Sequence, residues 1–232
     1  MRSRPLSLVF DLDGTLIDSA PDLHAAVNQL LVSDGRRDLE LREVVGMIGD
    51  GVPALVRRAY EATGALPDDM EGRIRQYHAL YGAAMTQRTV PYPGVARTLA
   101  ALAEAEHRLA VCTNKPHAAA VKILETLGLA GFFAAIVGGD SLPVRKPDAG
   151  HLLGTLRLLH AEPDDAVMIG DSRNDVAVAR NAGVRAIAVS YGYSDLAARD
   201  LGADLVVDTF AAIPDALEGL ARMVRPAGRP VP

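Results

Sequence analysis

Six short apolar runs set the pattern of this chain: LSLVF (6–10), RLAVCT (108–113), AAIVGG (134–139), AVMIG (166–170), RAIAVS (185–190) and DLVV (204–207). None alternates apolar with polar residues. That is the signature of strands buried on both faces, as in a parallel sheet covered by helices. The segments between later runs, 94–106, 116–129, 147–160, 174–182 and 210–224, are rich in Ala, Leu, Glu and Arg with apolar residues at helical spacing. Gly128 and Gly183 fit helix ends.

Strand and helix in repeated alternation predict an α/β fold, a Rossmann-like open parallel sheet with right-handed crossovers. The first run breaks the rhythm, because about 95 residues of helical pattern separate it from the second. Ser19 is placed to cap a helix running to about Ser33, with Asp22 in its first turn. Further helices are expected over 40–46, 52–63 and 68–86, and VPYPGV (90–95) returns the chain to the sheet. The predicted division is an α/β core, 1–15 and 92–232, with a small all-helical cap domain, 16–91, inserted after the first strand. Such an insert would lie over the carboxyl edge of the sheet as a lid.

With 232 residues, 49% of them hydrophobic, the chain can bury a sizeable core. A formal net charge of −5 provides no basic face for nucleic acid, and an anionic substrate would need a local positive charge. The single cysteine, Cys112, excludes an internal disulfide framework and suits a reducing compartment. It is expected to be packed in the second strand. No apolar stretch approaches the roughly 18 residues of a membrane span. Asp11 ends the run that follows Arg2 and Arg4 too early for a signal peptide. A cytoplasmic protein without membrane or nucleic-acid partners is expected, with 225–232 as a frayed tail.

Ligands of open α/β sheets gather outside the carboxyl ends of the strands. Four polar clusters follow strands here. In VFDLDGTLIDS (9–19), Asp11 and Asp13 are two apart and face one way if the segment stays extended, and Gly14 allows a sharp turn. A lone D-x-D is more often a solvated loop, but a buried strand leads into this one. TNKP (113–116) offers Thr113 and Asn114 as donors to oxyanions, or as a turn before Pro116. RKP (145–147) places Lys146 before a helix begun by Pro147. Lysine is scarce, only Lys115, Lys122 and Lys146, although a solvated surface position is the default for any one of them. GDSRND (170–175) sets Asp171 and Asp175 four apart, on one face if a helix starts there. Converging carboxylates require a counter-ion, and oxygen-only ligands select a hard cation such as Mg²⁺.

In order and position these clusters resemble the four motifs of the haloacid dehalogenase superfamily of phosphotransferases, and the helical insert resembles that superfamily's phosphatase cap. The resemblance implies Asp11 as a nucleophile that forms an aspartyl phosphate and Asp13 as acid and then base. Lys146 would neutralise phosphate charge, and Thr113 with the Asn114 backbone would hold phosphoryl oxygens. Mg²⁺ would be held by Asp11, the Asp13 carbonyl and Asp171, and Asp175 would orient Lys146 or a metal water. The partner implied is a small phosphorylated metabolite, 2-phosphoglycolate first, acted on by a monomer or homodimer. Gly49, Asp50 and Gly51 of the insert could reach the substrate, and Arg57 or Arg58 its carboxylate, although a solvated helix face is the more ordinary place for such arginines.

Other readings stay open. A phosphatase of sugar or amino-sugar phosphates, a pyrophosphatase and a mutase returning the phosphoryl group to a sugar share the scaffold. A non-catalytic phospho-acceptor domain also places acids, a Thr and a Lys at a sheet edge.

Overall fold

The computed structural model describes residues 4–223. Expectations for the first residues and for the 225–232 tail lie outside that range. The chain opens with β1 (Ser7–Phe10) and the short β2 (Ile17–Asp18). Four helices follow: α1 (Ala20–Ser33), α2 (Leu41–Val45), α3 (Val52–Thr63) and α4 (Met70–Ala84). Then come β3 (Val90–Pro91), α5 (Val95–Glu104), β4 (Arg108–Cys112), α6 (His117–Thr126), β5 (Ala135–Val137) and α7 (Ala149–Leu158). The chain ends with β6 (Ala166–Gly170), α8 (Arg173–Asn181), β7 (Arg185–Val189), β8 (Leu205–Val207) and α9 (Ile213–Arg222).

Six strands form one parallel sheet in the order β5-β4-β1-β6-β7-β8. Each of the six apolar runs supplies one strand. The order reverses between β1 and β6, so the residues that follow these two strands flank the switch point where such sheets bind ligands. Alternate strand residues face opposite layers. Leu8 and Phe10 pack with Leu99 of α5, Ile123 of α6 and Leu217 of α9, whereas Val9 and Met168 pack with Leu156 of α7 and Val178 of α8. Phe10 is fully buried, and removing a ring from such a position costs about 3–5 kcal/mol.

Helices α1–α4 have a core of their own, built from residues such as Leu30, Val56, Tyr60 and Tyr77. The chain enters and leaves them through a two-stranded antiparallel ribbon that pairs Ile17 with Pro91 and Asp18 with Val90. Asp22, placed by sequence in a first helical turn, is buried and latches that exit. It accepts from the N–H groups of Arg88 and Thr89 at 3.0 and 2.9 Å and from Thr89 Oγ1 at 2.8 Å.

Three local expectations are corrected. Ser19 precedes α1 but makes no capping bond; its hydroxyl points instead to Asp13. Pro147 does not begin α7. The helix starts at Ala149, capped by Asp148, whose side chain accepts from the Gly150 N–H at 2.7 Å. Asp171 lies before α8, so it shares no helix face with Asp175; Asp175 folds back to accept from the N–H and Oγ of Ser172 at 3.0 and 2.6 Å. No helix among the described residues is long and apolar enough to cross a membrane.

Candidate active site

The switch point is crowded with charge. The Asp11 N–H donates to the Ile169 carbonyl at 2.9 Å, which sets its side chain at the seam between β1 and β6. Lys146 Nζ lies 2.8 Å from Asp11 Oδ1 and 2.6 Å from Asp175 Oδ1, with its side chain almost wholly buried. Asp171 accepts from Thr15 Oγ1 at 2.9 Å and from the Tyr193 N–H at 2.7 Å. Carboxylate oxygens of Asp11, Asp171 and Asp175 all lie within 4.8 Å of one another.

Burial raises the Asp11 carboxyl to about 6; Asp175 adds to the rise and Lys146 opposes it. Asp171 rises further, to about 8, through burial and then repulsion from Asp175 and Asp11. Burial alone would lower Lys146, but Asp11 and Asp175 more than offset it and hold the ammonium charged. Glycine makes this approach possible. Gly14 sits at φ +84°, and a Cβ there would stand 2.4 Å from Asp171 Oδ2.

Asp13 differs from the expectation that one counter-ion serves both acids. Its carboxylate lies outside the cluster, with both oxygens 3.0 Å from Lys115 Nζ, and it accepts from Ser19 Oγ at 2.5 Å. Each acid of the D-x-D pair therefore has its own lysine. Lys115 is buried, not on the surface, and its ammonium lies 4.8 Å from the centre of the Tyr81 ring of α4.

Thr113 and Asn114 follow β4 and are buried beside the acids. Thr113 Oγ1 accepts from the Lys115 N–H at 3.2 Å. The Asn114 side chain is taken up by structure, donating to the carbonyls of Gly49 at 2.9 Å and Lys146 at 3.1 Å. Gly49, Asp50 and Gly51 do reach the site. Asn174 Nδ2 donates to Asp50 Oδ1 at 2.7 Å, and Arg58 pairs with the other oxygen of Asp50 and donates to the Met47 carbonyl at 3.0 Å. Arg57 is exposed on α3 and lines neither cavity described below.

Two cavities meet at Asp11 and Asp13. One is apolar, walled by Leu23, Ile48, Val52, Leu55 and Tyr81, with Thr113 and Lys115 at its base. The other, about 350 Å³, is polar and runs past Asp171, Asn174, Arg58 and Tyr193. Cys112 is packed as expected; its sulfur lies 3.4 Å from His151 Nδ1, and burial raises the thiol to about 11. Lys115, Ser19, Asn174 and Tyr193 were not singled out as site residues from sequence. For Lys115 the scarcity of lysine was the available signal, since two of the three lysines lie here.

The family model for haloacid dehalogenase-like hydrolases matches residues 8–189. The phosphoglycolate phosphatase of Agrobacterium fabrum is 42% identical over 94% of this chain and 95% of its own length. A solved structure described as a predicted phosphoglycolate phosphatase from Haemophilus somnus superposes with a TM-score of 0.89 at 31% identity, covering 93% of this chain and 99% of that one. CbbY from Rhodobacter sphaeroides, solved in complex with phosphate, gives 0.73 at 26% identity, over 90% of this chain and 96% of its own. Sheet order, acidic switch point and these likenesses agree: the chain belongs to the haloacid dehalogenase-like hydrolases.

Proposed function

We propose that this hydrolase moves the phosphoryl group of 2-phosphoglycolate to Asp11 and then to water, releasing glycolate and phosphate. The observation that carries the reading is the buried Asp11 carboxylate where the two cavities meet, with Lys146 at 2.8 Å and two further acids beside it. The substrate is drawn from relatives bearing the name phosphoglycolate phosphatase at about 40% identity over most of the chain.

Three buried carboxylates against one ammonium leave excess negative charge, and every donor is oxygen. That set fits Mg²⁺. Asp11, Asp171 and the Asp13 carbonyl would hold the ion, while Asp175 keeps Lys146 in place. When bound, the ion supplies positive charge to the phosphoryl oxygens.

An ionised Asp11 needs no base before it attacks phosphorus. Lys146, Thr113 and the Asn114 N–H steady the phosphoryl oxygens as charge shifts. Asp13 takes up a proton as substrate binds, the bond to the leaving oxygen breaks, and Asp13 gives that oxygen its proton. Asp13 then takes a proton from water as the water attacks phosphorus and frees Asp11. The insert, 16–91, is the cap over a core drawn from 1–15 and 92–232, of which 4–15 and 92–223 are described. Its 49–51 loop closes the site through Asn114 and Asn174. A buried lone cysteine suits a reducing cytoplasm.

Phosphate release is to be measured over a panel of small phosphate esters with Mg²⁺. 2-Phosphoglycolate is expected to exceed sugar phosphates by roughly tenfold or more in kcat/KM. Asp11→Asn is expected to lower turnover by about a thousandfold or more while the protein stays folded. Preference for another ester would overturn the substrate, and substantial turnover in Asp11→Asn would overturn the mechanism.

A further inference from the structure

The apolar cavity poses a problem for an anionic leaving group. Leu23, Ile48, Val52 and Leu55 offer a carboxylate nothing, and an unpaired charge among them is strongly disfavoured. Lys115 carries the one permanent positive charge among the described residues that line this cavity. The cations of the polar cavity are engaged elsewhere. Arg58 is tied to Asp50 and the Met47 carbonyl, and Arg173 pairs with Asp195 at 2.9 Å.

Holding Asp13 does not by itself account for Lys115. Ser19 Oγ already fixes Asp13 Oδ1, and a buried ion pair is often no more stable than well-packed apolar residues of the same size. The shape of the substrate supplies a further reason. In 2-phosphoglycolate a single methylene separates the bridging oxygen from the carboxyl carbon. Any group that meets the bridging oxygen must therefore neighbour the group that meets the carboxylate. Asp13 and Lys115 are such neighbours, 3.0 Å apart.

We infer that Lys115 is the residue that receives the leaving group's carboxylate, so that the enzyme selects esters of a 2-hydroxy acid; this rests on the substrate reading above. The ammonium stands between Asp13 and the leaving group's carboxylate, and it separates two like charges once Asp13 has given up its proton. Tyr81, brought by α4, closes over it from the insert. Selection is thus shared between a core lysine and an insert aromatic.

The test is binding in the Asp11→Asn protein with Mg²⁺, which holds ester without turning it over. Calorimetry compares 2-phosphoglycolate with 2-hydroxyethyl phosphate, which has the same chain but no carboxylate. Adding Lys115→Met is expected to weaken 2-phosphoglycolate roughly thirtyfold and 2-hydroxyethyl phosphate less than about threefold, with Lys115→Arg restoring part of the difference. Should Lys115→Met not fold beside an unpaired Asp13, Asp13→Asn is added and the same ratio is read. Equal losses for both esters, or a preference that survives Lys115→Met, overturn the assignment alone. Equal affinity for both esters with Lys115 intact overturns the substrate reading, and the assignment falls with it.

Discussion

Tyr193 joins Asp171 to the point where the chain leaves the sheet: its N–H donates to Asp171 Oδ2 at 2.7 Å and its hydroxyl to Asp18 Oδ1 at 2.6 Å. The same hydroxyl accepts from the N–H groups of Ser19 and Ala20 at 2.7 and 2.9 Å. One residue, through its backbone N–H and its hydroxyl, thus ties the acidic cluster to the start of α1.

Tyr193→Phe keeps the bond to Asp171, which is made by the backbone, deprives the Ser19 N–H of its acceptor and leaves the Ala20 N–H only Asp18 Oδ1 at 3.3 Å. Leaving such donors without a partner costs about 1–3 kcal/mol. Urea unfolding is expected to report a loss of that size, and hydrogen exchange at residues 19 and 20 is expected to quicken. An unchanged exchange rate there would contradict the coupling.

The metal-free protein is expected to lose stability as pH rises. Asp11 and Asp171 have folded values of about 6 and 8, above the ordinary 3.8, so the folded state holds more protons than the unfolded state across that interval. Stability then falls with pH from about 4 to about 8, on the order of 4–5 kcal/mol between pH 5 and 7.5. Denaturation in chelator at those two pH values checks this, and saturating Mg²⁺ is expected to flatten the slope.

Gly14→Ala places a methyl group into Asp171 at a left-handed backbone position. Strain of this kind costs about 1–3 kcal/mol, and Asp171 must move. Lower stability and at least about tenfold weaker Mg²⁺ binding by calorimetry are expected.

Asn174→Ala removes the donor to Asp50 Oδ1, and Asp50 then keeps only Arg58. The 49–51 loop is expected to close less tightly. KM should rise by roughly three- to tenfold with kcat little altered, as steady-state kinetics would show.

The sheet was legible because its strands are buried on both faces, which leaves continuous apolar runs with no other use. Asp11 and Asp171 were legible because each directly follows such a run, Asp175 because it opens the next helix, and Lys146 because lysine is scarce and a helix begins shortly after it. Lys115 was not. Its burial depends on Tyr81 from α4 and on Asp13 from the first strand end, and no local pattern brings those residues together. Ser19 departs from its local pattern for a related reason. Its sequence context is that of a helix cap, yet the turn through Gly14 and Thr15 carries it back to Asp13. The same turn gives Asp22 a task, the latch on Thr89, that its place in a first turn did not reveal.

The ribbon that pairs Asp18 with Val90 gives the molecule a single doorway. Everything between those residues goes out and comes back at adjacent points, so a short turn could close the gap and leave the strand order intact. On the proposed reading, the floor that carries Asp11 and Lys115 and the roof that carries Tyr81 are parts joined along the chain at one seam. A roof with different walls could be spliced at that seam and present a different leaving group to the same aspartate.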